Sequence, residues 1–432
     1  MNSYFFDQAW IGNQWAPNVR VEVDSGIIKS VSRDIEPDSA EERVGGIVLP
    51  GMVNVHSHAF QWEFAGKSEF RTQEHDSFWS WRKQMYQSVL TLGPDEYRAS
   101  AEQLFRLMIG RGYTSIGEFH YVHRAPDNDP YPETGLLSRM MVQAALSAGM
   151  RICIIPVLYQ RGGFENQPLT SAQQRFELTD QQLEEVLHAL VEQYVSNELV
   201  TIGMAFHSLR AVDPAKFGRI VEKFESITGG GPIHIHVAEQ EKEVQDSIAA
   251  TGLRPVELLF ESANVDHRWC LIHATHMTDD ESDRVAASNA VVGLCPTTEA
   301  NLGDGFFPAE RYLDAGGRMA IGSDSHVCID PFSELRMLES GRRLLDQRRA
   351  VLCTETQSCG ELLYRSASQG GAQALGINAG VLQAGALADM IVLDESHPII
   401  KNVEGSQTVD RAVFCQYGNP VKRTMIGGKW IV

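Results

Sequence analysis

His56 and His58 stand one residue apart at the end of an apolar run, LPGMVNVHSHAFQ, residues 49–61. In an extended strand, residues two apart face the same side, so both imidazoles can meet one ion. A second pair, His234 and His236, lies in PIHIHVAE, with Glu239 three residues further on. HATH adds His273 and His276, and GSDSH adds Asp324 and His326. Glu118, His120 and Tyr121 follow GYTSIG, and His207 and Arg210 sit in FHSLR. Zinc takes neutral imidazole and carboxylate ligands, and its catalytic sites keep one position open for water. The ion lowers the pKa of that water toward about 7, generating hydroxide at neutral pH. In this set Asp324 could supply the carboxylate, Glu239 could carry a proton without being a ligand, and His273 could hold or polarise a substrate. One H-x-H arises often by chance, and a lone Asp often caps a helix. The conjunction points to metal-assisted hydrolysis.

Such a site needs a frame that brings these segments together. The strand candidates are GIVLPGMVNVHSH, TSIGEFHY, RICIIPVLY, VTIGMAFHS, PIHIHVAE, WCLIHATH, AVVGLCPTT and RMAIGSDS. Amphipathic stretches such as PDEYRASAEQLFRLMIGRG and LTDQQLEEVLHALVEQYV separate them with helical periodicity. Short apolar strands alternating with helices predict parallel strands buried on both faces, and eight such units predict a (β/α)8 barrel. Most of the polar candidates then fall at the C-terminal strand ends, where barrel enzymes carry their chemistry. The two chain ends differ from this middle. Residues 1–47 and 385–432 read as short strands broken at Gly and Asp. They are expected to pair into one small composite β domain, a β-sandwich, beside a barrel spanning residues 48–384.

The composition narrows the partners. The 432-residue chain is 43% hydrophobic and 22% charged, an ordinary globular balance, and its net charge of −19 argues against nucleic acid or an anionic membrane. Seven scattered cysteines form no CxxC pair and read as reduced thiols. The N-terminus has no basic segment followed by an apolar core, and no apolar run is long enough to span a bilayer. These features predict a cytoplasmic protein with a small-molecule substrate.

The motifs resemble the amidohydrolase superfamily over essentially the whole chain. PGMVNVHSH is similar to its first-strand metal motif, HVAE to the fifth-strand motif of its deaminase branch, and HATH and GSDS to its later elements. LQAGALADMIVLD is similar to the segment that leaves the barrel for the β domain. The resemblance implies one divalent ion per subunit, zinc or alternatively iron or manganese. Its ligands would be His56, His58, His236 and Asp324. No strand end carries the lysine that two-metal members need. Longer stretches, HSHAFQ, FWSWRKQMY, GYTSIGEFHYVH, HSLRAV, HVAEQEKEV and CPTTEANLGDGFFP, resemble the branch that acts on N-formimino-L-glutamate in histidine degradation. That implies hydrolysis to the N-formyl compound and ammonia. Zinc-activated water would attack the formimino carbon, helped by Asp324 and His273, with Glu239 shuttling the proton. Arg82, Tyr121 and Arg210 would grip the two substrate carboxylates, and Gln61 and His207 would position the substrate. Arg82 read alone could equally be a helix-surface residue stacked on Trp79 or Trp81. Trp62 departs from the pattern, which has arginine there. Relatives of this type suggest a homodimer. The alternatives are a related deaminase acting on a guanidino acid or a nucleobase, and a non-catalytic scaffold of the same fold.

Overall fold

The computed structural model describes every residue except 13, 40, 72, 73, 90 and 416, together with the side chain of residue 89. Eight parallel strands close into a barrel: Met52–Ser57, Tyr113–His120, Arg151–Leu158, Met204–Ser208, Ile233–Val237, Trp269–His273, Val291–Leu294 and Arg318–Ile321. The ring closes where Ile321 pairs with Asn54 and where Ala205 and Phe206 pair with Val157 and Leu158. Tyr113–His120 and Arg151–Leu158 are buried at every position, as strands covered on both faces must be.

Two strand candidates are broken in the structure. The run 46–58 divides at Gly51. Ile47–Pro50 joins the small sheet, antiparallel to Met390–Leu393, and Met52–Ser57 enters the barrel. A Cβ on Gly51 would lie 2.2 Å from the Thr114 side chain, so only glycine lets the chain cross between the sheets at this point. The run 200–208 divides at Gly203 into Val200–Ile202 and Met204–Ser208, both on Arg151–Leu158.

The small sheet interleaves the two chain ends in the order Lys429–Trp430, Val421–Ile426, Met390–Leu393, Ile47–Pro50, Asn2–Ile11, Gln14–Asp24, Ile27–Ser32. A buried ion pair fastens it to the barrel. Arg151, first residue of the third barrel strand, donates from Nε and Nη2 to Asp389 at 2.8 and 3.1 Å, and Asp389 also accepts the Gly427 N–H at 2.6 Å. Removing one member of a buried pair strands the other charge, at a cost of about 3–5 kcal/mol. Asp389→Ala is therefore expected to lower stability by about that much, read as a shift of the urea midpoint. An unchanged midpoint would refute the staple.

The helix Cys359–Ala374 runs across the N-terminal mouth of the barrel. A Cβ on Gly370 would sit 2.0 Å from the Met319 carbonyl oxygen, so glycine is required for this close approach. The opposite mouth stays open for chemistry. Among the described residues no helix is long and apolar enough to cross a membrane.

Candidate active site

His56 and His58 end the first strand with their rings 4.5 Å apart. The Nδ1–H of His58 donates to the Phe119 carbonyl at 3.0 Å, and that of His236 to the His207 carbonyl at 2.9 Å. A carbonyl only accepts, so both rings hold their proton on Nδ1 and offer the Nε2 lone pair inward. His236 Nε2 lies 3.0 Å from His56 Nε2. Asp324 Oδ1 lies 3.7 Å from His56 Nε2 and 3.3 Å from His58 Nε2. Asp324 adopts a left-handed φ of +45°, held between its N–H bond to the His56 carbonyl and its carbonyl's bond from the His58 N–H.

This donor set fits one divalent cation. Burial pushes the imidazolium pKa of His58 down to about 3 and those of His56 and His236 well below the usual range, so three neutral rings are available at pH 7. A direct bond between His56 and His236 would need the proton on His56 Nε2 and would leave its Nδ1 a buried lone pair with no partner. A cation shared by the Nε2 atoms and Asp324 lets the two Nε2 lone pairs stand 3.0 Å apart with no proton between them, and His56 Nδ1 is unpartnered in either arrangement.

His234 also faces inward, but one layer lower. Its Nε2–H donates to the Ala374 carbonyl at 2.9 Å, at the floor of the barrel, away from the cluster. Of the other strand-end candidates, Glu118 accepts the Ser57 hydroxyl and the Ala59 N–H at 2.6 and 2.9 Å, which fixes the turn after His58. Burial raises its pKa to about 8. His120 lies near the Tyr97 hydroxyl, His276 donates to the Asp304 carbonyl, and His326 bonds Ser323.

His273 sits beside the cluster at a φ of +69°. Its Nε2 is 3.7 Å from both Glu239 Oε1 and Asp324 Oδ2. Its Nδ1 is 3.2 Å from Glu299 Oε1, which also accepts the Cys295 N–H. Burial opposes charge on this ring, but Glu239, Glu299 and Asp324 overcome it and lift its pKa to about 10. Burial also raises Asp324 to about 7, against the attraction of His273. The sequence reading passed over Glu299. It lies not at a strand end but one turn into the short helix Pro296–Leu302 that follows the seventh strand.

One pocket adjoins His58, His236, Glu239, His273 and Asp324, and Gln61, Arg82, Tyr121, His207 and Arg210 line the same pocket. Gln61 Nε2 donates to the Tyr121 hydroxyl at 3.0 Å. Burial holds His207 neutral, its ring 5.3 Å from that of Tyr121. Arg82 comes from the helix Phe78–Val89 and does both things considered for it: it lines the pocket and stacks on Trp79 at 4.4 Å. Trp62 packs against the core, outside the pocket lining.

A family model, "Amidohydrolase family", matches residues 47–431. The chain is 43% identical over its whole length to a formimidoylglutamate deiminase of Pseudomonas aeruginosa, 95% of which is covered. It is 25% identical over 96% of its length to a 5-methylthioadenosine/S-adenosylhomocysteine deaminase of Natronomonas pharaonis, 88% of which is covered. Among solved structures, an amidohydrolase from Brucella melitensis superimposes with a TM-score of 0.92 at 38% identity, covering 99% of this chain and 94% of that one. An adenosine deaminase from Xanthomonas campestris, solved with bound zinc, shares the fold at a TM-score of 0.80 and 21% identity, with 99% and 92% covered.

Proposed function

The chain belongs to the amidohydrolase family, and on that premise we propose that it is a metal-dependent deiminase converting N-formimino-L-glutamate to N-formyl-L-glutamate and ammonia. The observation that carries this reading is that Arg82 and Arg210, which both line the pocket beside the metal ligands, meet over one indole, that of Trp79. A guanidinium binds carboxylate in a two-pronged manner, so two of them match a dicarboxylate. The name of the 43% identical relative supports the same substrate.

His56, His58, His236 and Asp324 would hold one divalent ion, zinc first among the candidates. When bound, that ion supplies a hydroxide equivalent at neutral pH by lowering the pKa of water to about 7. The rest is work for side chains. Arg82, Arg210 and Tyr121 hold the carboxylates, while Gln61 and His207 orient the formimino end. Water adds across the C=N bond. His273, charged, bridges Glu239 and Asp324 and keeps both carboxylates in place. Glu239 takes one water proton and delivers it to the imino nitrogen as the water adds, then carries the proton of the resulting hydroxyl to the same nitrogen as the C=O forms. The C–N bond then breaks, ammonia leaves, and the formyl group remains on the glutamate nitrogen.

The test is ammonia release from N-formimino-L-glutamate by zinc-loaded protein, beside N-formimino-L-aspartate and a guanidino acid. Fast release from the glutamate derivative alone is expected. Release from the guanidino acid alone would transfer the assignment to it. Arg82→Ala and Arg210→Ala are each expected to reduce kcat/KM by about 10–100-fold, the worth of one hydrogen-bonded charge. A nucleobase deaminase would be indifferent to both.

A further inference from the structure

Arg82 has an unusual setting. Among the described residues no carboxylate pairs with it. Its guanidinium is held by aromatic faces instead. Trp79 is 4.4 Å from its Cζ, with Tyr86 and Phe78 at 5.6 and 5.8 Å. These rings stand three or four residues from Arg82 on the same helix, so the helical repeat itself builds the cage. The same indole is approached from two other elements. Arg210, after the fourth strand, has its Cζ 5.6 Å from the ring, and the Lys242 ammonium, on the helix Glu241–Thr251, lies at 5.7 Å.

Three cations round one ring repel each other, so something must hold the guanidiniums together before an anion arrives. A carboxylate would do so but would occupy the N–H donors that a substrate carboxylate needs. The face of an indole attracts a cation without accepting those hydrogen bonds in the guanidinium plane. Behind Arg210, the buried Glu243 carboxylate stands 3.9 Å from Nε, too far for a hydrogen bond, and both atoms lack a partner. Glu243 therefore balances charge and leaves the fork of Arg210 open, while its other oxygen accepts the Glu239 N–H at 3.1 Å.

We propose that Trp79 is a positioning residue of the dicarboxylate site: its indole holds the guanidiniums of Arg82 and Arg210 at a fixed separation with their donors free. This rests on the functional reading above, in which these arginines bind the substrate. Leucine at position 79 keeps apolar bulk and loses the π face; phenylalanine keeps a π face. Trp79→Leu is expected to raise KM for N-formimino-L-glutamate about tenfold with kcat within about threefold of wild type. The Kd for the product N-formyl-L-glutamate, measured by calorimetry, should rise by the same factor. Trp79→Phe should restore both to within about threefold. Unchanged KM and Kd in Trp79→Leu, a fall in kcat at constant KM, or a Phe variant as impaired as the Leu variant would each overturn the inference and leave the function standing. A wild-type protein that neither releases ammonia nor binds N-formyl-L-glutamate would overturn the functional reading itself, and the role of Trp79 with it.

Discussion

Glu239→Gln is expected to lower ammonia release by about 10³-fold while the protein keeps its metal, because the variant loses the proton carrier, and with it the charge facing His273, but keeps the shape of the side chain. Glu239 is buried beside His273, and its side chain makes no bond to the backbone that a glutamine would break. Its N–H goes to Glu243, a bond unaffected by the side-chain change. The amide has the same shape and can still face His273, yet it cannot accept a proton from water and pass it to a departing nitrogen. Positioned acids and bases contribute about 10²–10⁴-fold, which sets the expected size. The measurement pairs kcat with metal content by elemental analysis and with the Kd for N-formyl-L-glutamate. Wild-type turnover in the variant would remove Glu239 from the proton path. Lost turnover accompanied by lost metal would make it a ligand or a ligand support instead.

Much of this site was legible in the sequence, for reasons that also mark where legibility ends. The pair His56 and His58 could be read because the period of a strand is two and both rings must share a face. The barrel could be read because its strands are short, apolar and separated by helical repeats. What period cannot give is depth. His234 and His236 share a face as well as His56 and His58 do, yet His234 lies one layer lower and bonds Ala374. Its fate is decided by a helix 140 residues away. The break at Gly51 was hidden for a similar reason, since only the approach of Thr114 forces it. Arg82 could be placed on an aromatic-rich helix, but the convergence of Arg210 and Lys242 on the same indole joins three separate elements and leaves no local pattern. Glu299 escaped because attention to strand ends stops one helical turn too early.

Removing the metal is expected to abolish turnover, and restoring about one equivalent of zinc per chain to recover it; the pH dependence of binding then tests which group gives up a proton. His56, His58 and His236 are pushed by burial far below neutrality, so they carry no proton that a cation must displace near pH 7. Asp324 differs: burial raises it to about 7 in metal-free protein. Above that value it is ionised and ready to bind. Below it a proton competes with the cation, so affinity is lost as pH falls. The Asp324 proton alone should then weaken zinc affinity by about tenfold between pH 8 and pH 6; ionisation of the water on the ion, with its pKa near 7, would add a second step of about the same size, for about a hundredfold in all and about one proton released per ion across the range. Calorimetry in buffers of different ionisation enthalpy counts that proton. Asp324→Asn has no carboxyl to titrate, so it should bind zinc more weakly and keep only the step of about tenfold that comes from the water, with almost no proton released at pH 6 and about one at pH 8. If the variant kept the wild-type slope, the competing proton would belong to another group. If it kept wild-type affinity, Asp324 would not be a ligand, and the three imidazoles alone would hold the ion.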